Sequence, residues 1–246
     1  MSSMIRRGYG VFGRPYEIML KNDLHAPESI DHALLRDMIL LDEESYPLLY
    51  TAPVRRDLSS HELYSFAQRF LSTDERTTVR NVLDFTSGIA LNYNVDFRDM
   101  LFGGTEKQIL ERGTDWCADM ARVGAVLLQC LGIPCRIVHL ADLSKAYYGH
   151  VVGEAYYEGH WGAVDFIYGY QFLSGRPASA YDIMHDPSIL AQCSDEYRGY
   201  YSAVAISEYD PVNASNDYTV SKPNEYCMKL IYTDHNGRWI MGEADE

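Results

Sequence analysis

The run from Cys117 to Leu131 constrains this chain more than any other stretch. Apolar or small residues stand at 117, 120, 121, 124, 127, 128 and 131, and Gly132 and Pro134 close the run. That spacing predicts a helix apolar on nearly every side, which must be the centre of a core. A glycine and a proline just past the last periodic residue are helix stop signals. Beyond it, 136–140, 150–157 and 161–166 are short runs rich in Val, Tyr and Trp, with Glu158-Gly159-His160 as a turn, and they predict strands. Further strands are predicted at 201–206, 225–232 and 238–241, the last two joined by Asp234-His235-Asn236-Gly237. One buried helix against an antiparallel sheet is an α+β architecture.

Ahead of that core the pattern is helical. Between Pro27 and Leu41, Ile30, Leu34, Met38 and Leu41 recur at helical spacing. Ser59/Glu62 and Ser72/Glu75 have capping-box spacing and would open helices through Leu71 and Ile89. Residues 105–110 predict a short helix ended by Gly113. The expected organisation is an N-terminal arm and helical extension over 1–74 and a second domain over 75–246, or one compact domain. Gly8 to Gly13 matches GxGxxG, but no buried strand precedes it and Arg14-Pro15 follows, so it is not read as a dinucleotide site.

Charge and composition exclude several partners. A net charge of −14 repels phosphate backbones, which argues against nucleic acid. No apolar stretch is long enough for a secretory signal or a bilayer span, so a soluble, cytoplasmic chain with no membrane partner is expected. Five cysteines make an odd number, no CxxC occurs, and Cys130 and Cys135 with His139 lack the two close ligand pairs of a zinc site. No metal and no organic cofactor are expected. Asn213-Ala214-Ser215 is a sequon without meaning unless the chain is secreted.

Three residues invite chemistry. Cys117 opens the apolar helix, where the positive end of the macrodipole favours a thiolate and backbone N–H groups point outward as oxyanion donors. His150 opens one strand and Asp165 ends the next, so a short turn between antiparallel strands brings them side by side. A Cys117–His150–Asp165 relay is then geometrically cheap. His160 is a rival imidazole inside the expected turn, and His139 is read as a sheet histidine.

Around these residues the sequence resembles the transglutaminase-like superfamily. The resemblance rests on a short helix and Gly113 before Trp116-Cys117-Ala118-Asp119, a helix ending in Gly132-Ile133-Pro134, then His150 with Glu154 four residues on, then Trp161 and Val164-Asp165. It covers about residues 75 to 170. The resemblance implies a papain-like α+β fold, with Cys117, His150 and Asp165 as catalytic residues and Trp116 and Trp161 against the substrate. It also implies acyl transfer on amide bonds, resolved by water or by an amine, with a protein, peptide or small amide as substrate. A catalytically inactive binding or scaffold module of the same fold is the alternative. Phe166 replaces a common proline, and no upstream residue aligns with the family's side-chain oxyanion donor; Asn92, Tyr93 and Gln108 are the candidates. Arg136 is expected to pair with a buried acid, and Glu154 and Asp119 to be structural polar groups. Tyr197, Tyr200, Tyr201 and Tyr209 are expected to complete the sheet and one wall of the cleft.

Overall fold

A computed structural model of the chain describes residues 38–142, 149–212, 220 and 222. The glycine motif at 8–13, the helical spacing over 27–37, the sequon at 213–215, the strands expected at 225–232 and 238–241, and Cys227 lie outside the described residues.

In chain order the elements are β1 (Ile39–Leu40), α1 (Tyr46–Leu49), α2 (Tyr64–Ala67), α3 (Glu75–Asn92), α4 (Glu106–Arg112), α5 (Cys117–Cys130), β2 (Cys135–Ala141), β3 (Gly149–Tyr157), β4 (His160–Asp165), β5 (Tyr170–Gln171), α6 (Ala180–His185), α7 (Asp195–Gly199) and β6 (Ala203–Ser207). The strands form one antiparallel sheet in the order β1-β6-β2-β3-β4-β5. This is an α+β fold, with the cysteine-bearing helix packed on the sheet.

Because α5 is apolar nearly all round, it is buried from Asp119 to Cys130. One face of the sheet, carrying Ile137, Val151 and Val164, packs with α5, α2 and α3 around a single core. The opposite face, carrying Val138, Leu140, Val152 and Ile206, packs against α6 and α7. Phe166, just past β4, sets the spacing of helix and sheet. A Cβ on Gly124 of α5 would lie 2.1 Å from its ring, and one on Gly153 of β3 would lie 2.6 Å away. Only glycine at both positions admits the phenyl ring between them.

Several local expectations are corrected. Ile39–Leu40 is a strand and not the end of a helix, because its backbone pairs with β6. Ser59 caps nothing: α2 starts after Leu63 without a side-chain cap and runs directly into a 3-10 turn at Gln68–Phe70. The cap of α3 is Asp74, not Ser72; its extended backbone aims the carboxylate at the Thr77 N–H, which donates at 2.7 Å. The hairpin turn is two residues, Glu158 (φ 53°) and Gly159 (φ 77°), the positive-φ pair that tight antiparallel hairpins favour. His160 therefore begins β4 opposite Tyr157.

The region before residue 75 is tied to the sheet by a buried ion pair. The Arg136 guanidinium donates to Glu154 Oε2 at 3.0 and 2.7 Å and to the Leu49 carbonyl at 2.5 Å. It lies between the rings of Tyr50 and Trp161, at 4.8 and 4.0 Å. Glu154 Oε1 accepts from the Tyr50 hydroxyl and from the Ala180 N–H. Each charge is thus paired and hydrogen-bonded, the condition for burying it at all.

Candidate active site

Cys117 is the first residue of α5, and its N-cap, Trp116, gives the helix no side-chain cap. The N–H groups of that first turn have no partner within the helix and point outward past Cys117. The Trp116 N–H is held by the Thr114 hydroxyl at 2.9 Å, and its half-buried ring packs on Phe102. Two residues after Cys117, Asp119 locks the turn: Oδ2 accepts from Arg112 at 2.6 Å and from the Gly103 N–H at 3.0 Å. Cys117 is half-buried, whereas Cys130, Cys135 and Cys193 are buried.

The sheet supplies the other two groups. On the register Gly153↔Val164, Asp165 stands opposite Val152, and His150 two residues earlier shares that face. His150 Nε2 lies 2.8 Å from Asp165 Oδ2. The Cys117 side chain is within hydrogen-bonding reach of the same imidazole, whose remaining ring nitrogen is Nδ1. The structure therefore brings Cys117, His150 and Asp165 together.

Asp165 is wholly buried and has four donors. Oδ1 accepts from the N–H groups of Ile167 and Tyr168, and Oδ2 from His150 and from the Tyr197 hydroxyl at 2.6 Å. Burial alone would raise its pKa; the charge and hydrogen bond of His150 and the bonds from Tyr197 and Tyr168 outweigh that and hold it below the ordinary carboxylate value. For His150, burial disfavours the cation, but Asp165 and then Cys117 outweigh it and push the imidazole up to about 10. The fixed partner is a charged carboxylate, so the imidazolium is the resting form.

Other candidates sit elsewhere. Trp161 is four residues from Asp165 along β4, about 13 Å, where its ring covers Arg136 and its indole N–H donates to the Thr51 carbonyl. It packs over the buried ion pair. His160 is exposed at the far end of β4, about 17 Å from Asp165. Gln108 Oε1 accepts from the Thr105 N–H in the capping box of α4, and Asn92 Nδ2 donates to the Gly88 carbonyl. Tyr209 is bonded to Arg122 and Glu106, away from the cleft.

Sequence reasoning gave Tyr197 and Tyr200 to a wall of the cleft, but it did not single out Tyr168 or set any of these rings against His150. Tyr168, Tyr197 and Tyr200 have ring centroids 5.6, 5.8 and 5.4 Å from that of His150. For Tyr168 the signal was the abundance of the residue, 20 in the chain. Among the described residues no group of three His, Cys, Asp or Glu side chains could hold a metal ion, and no helix is long and apolar enough to cross a membrane.

Residues 65–166 match the family model of the Transglutaminase-like superfamily. No curated protein matches the chain. One solved structure, a "Putative Cysteine Protease from Cytophaga hutchinsonii", is similar at 23% identity and a TM-score of 0.36, over 52% of this chain and 43% of that one. The chain thus spans less than half the length of that protein.

Proposed function

We propose that this chain, with its transglutaminase-like segment at 65–166, is a cysteine-dependent enzyme that transfers acyl groups from amide bonds. The observation that carries the reading is the contact of His150 with Asp165 at 2.8 Å on one side and with the half-buried Cys117 on the other.

The His150 imidazolium, held in that form by Asp165, pairs with the Cys117 sulfur anion, which attacks the amide carbonyl carbon. The carbonyl oxygen takes the electron pair and is stabilised by N–H groups at the start of α5. The tetrahedral adduct collapses, the C–N bond breaks, and the leaving nitrogen takes the proton from His150. The thioester is then attacked by water or by an amine, which loses a proton to His150, and the C–S bond breaks to return the Cys117 sulfur anion beside the imidazolium. Asp165 holds the imidazole in one orientation and stabilises its cation.

The test is incubation with fluorogenic peptide amides, with and without a primary amine, followed by intact mass analysis. A thioester adduct at Cys117, lost in Cys117→Ala together with turnover, is expected. Turnover that survives Cys117→Ala sinks the reading. Iodoacetamide labelling of Cys117 no faster than that of the three buried cysteines would favour a binding module instead. The added amine partitions the products between hydrolysis and amide formation.

A further inference from the structure

Asp165 Oδ2 is used twice, and the second donor lies outside the relay. The Tyr197 hydroxyl reaches that oxygen at 2.6 Å, a distance at which the bond to a carboxylate is strong. The phenol is delivered by α7, whose first turn is fixed by the Ser194 side chain accepting from the Tyr197 N–H. The ring is buried and makes edge contacts with His150, Tyr168 and Tyr170 at 5.8, 5.6 and 5.3 Å. Ring packing and hydroxyl are therefore separable, because Phe preserves the first and removes the second.

We propose that Tyr197 is a positioning residue: its hydroxyl shares Asp165 Oδ2 with His150, fixes the carboxylate, and limits how tightly that carboxylate holds the imidazole's proton. The inference rests on the Cys117–His150–Asp165 reading above. A donor on Oδ2 draws charge from the oxygen that faces the imidazolium, so His150 releases its proton to a leaving group more readily than a bare ion pair would allow. The phenol stays a donor throughout, since burial and then the charge of Asp165 keep it well above the usual tyrosine range. The groups facing His150 are Asp165, Cys117 and the phenols of Tyr168, Tyr197 and Tyr200, and Tyr197 also faces Cys193 and Tyr201. Burial raises the other phenols and Cys193 above their ordinary values, so they remain uncharged near neutrality.

The experiment is an NMR titration of His150 in the full chain carrying Cys117→Ala, which removes the sulfur's own titration, with and without Tyr197→Phe. The His150 midpoint is expected to rise by about one unit in Tyr197→Phe, because Oδ2 then faces the imidazolium with its charge undiminished. Site-specific 3-fluorotyrosine at 197, a stronger donor in the same ring, is expected to lower it. In the Cys117-intact protein, Tyr197→Phe is expected to lower kcat about tenfold with KM little changed. An unchanged or lowered midpoint in Tyr197→Phe overturns the proposal. Should that variant fail to fold, an unchanged or raised midpoint with 3-fluorotyrosine does the same. The titration reads the coupling with or without turnover, so a lack of catalysis would sink the proposed function and leave this result standing.

Discussion

Two buried histidines on neighbouring strands, His139 on β2 and His150 on β3, behave in opposite ways. Leu140 pairs with His150, so His139, one residue earlier, lies on the other face of the sheet. His139 has the Ser207 hydroxyl 2.9 Å from Nε2, and burial pulls it down to about 3. His150 has the Asp165 carboxylate at the equivalent distance and is pushed up to about 10. Similar burial gives opposite charge states, because a hydroxyl cannot repay the desolvation of a cation and a carboxylate can. The neutral histidine packs the core face; the charged one can pair with the sulfur anion of Cys117.

The largest expected effect comes from removing the difference. Asp165→Asn leaves a neutral partner for His150, so its midpoint is expected to fall from about 10 to its ordinary value or below, and turnover to fall about 10³–10⁴-fold. An NMR titration and steady-state kinetics read both. Retained turnover would remove Asp165 from the mechanism.

The converse exchange is Ser207→Asp, which gives His139 the partner that His150 has. His139 is expected to move up by several units from about 3, with activity little changed; a midpoint that stays put would mean that burial alone decides its state.

The smallest effect is on stability. For His139 the unfolded chain takes up a proton below about 6.5, whereas the folded chain refuses it until about 3. Stability is thus lost as pH falls through that window, by about 1.4 kcal/mol per unit for one proton. His139→Gln keeps a hydrogen-bonding group near Ser207 without that proton, so urea midpoints between pH 6.5 and 3 should fall less steeply than in the wild type. His150 has the opposite sign: its contribution is complete below about 6.5 and is lost as pH rises through about 10. His150→Gln should flatten the alkaline limb of the same curve and leave the acid limb alone.

What could be read in advance follows the range of each interaction. The helix from Cys117, the strands expected at 136–140, 150–157 and 161–166, and the places of His150 and Asp165 at strand ends are written in local periodicity and stop signals, and these elements formed at those positions. The pairing of Arg136 with an acid was also legible. The true caps were not, because Ser72 and Asp74 compete for the same start and only the backbone geometry at 74 chooses between them. Nor was the strand at 39–40, whose partner lies more than 160 residues away. Trp161 carries no local mark that its ring covers a guanidinium.

By itself the sequence determined the buried helix, the alternation of the strands, and which cysteine would stand at a helix start, since each depends on neighbours within a few turns of chain. Tertiary structure alone decided that a tyrosine from α7 shares Asp165 Oδ2 with His150 and that the Ser207 hydroxyl faces His139. The reason is physical: a proton's position depends on charges and donors within a few ångströms, and these are brought there from distant parts of the chain by the packing of the whole fold.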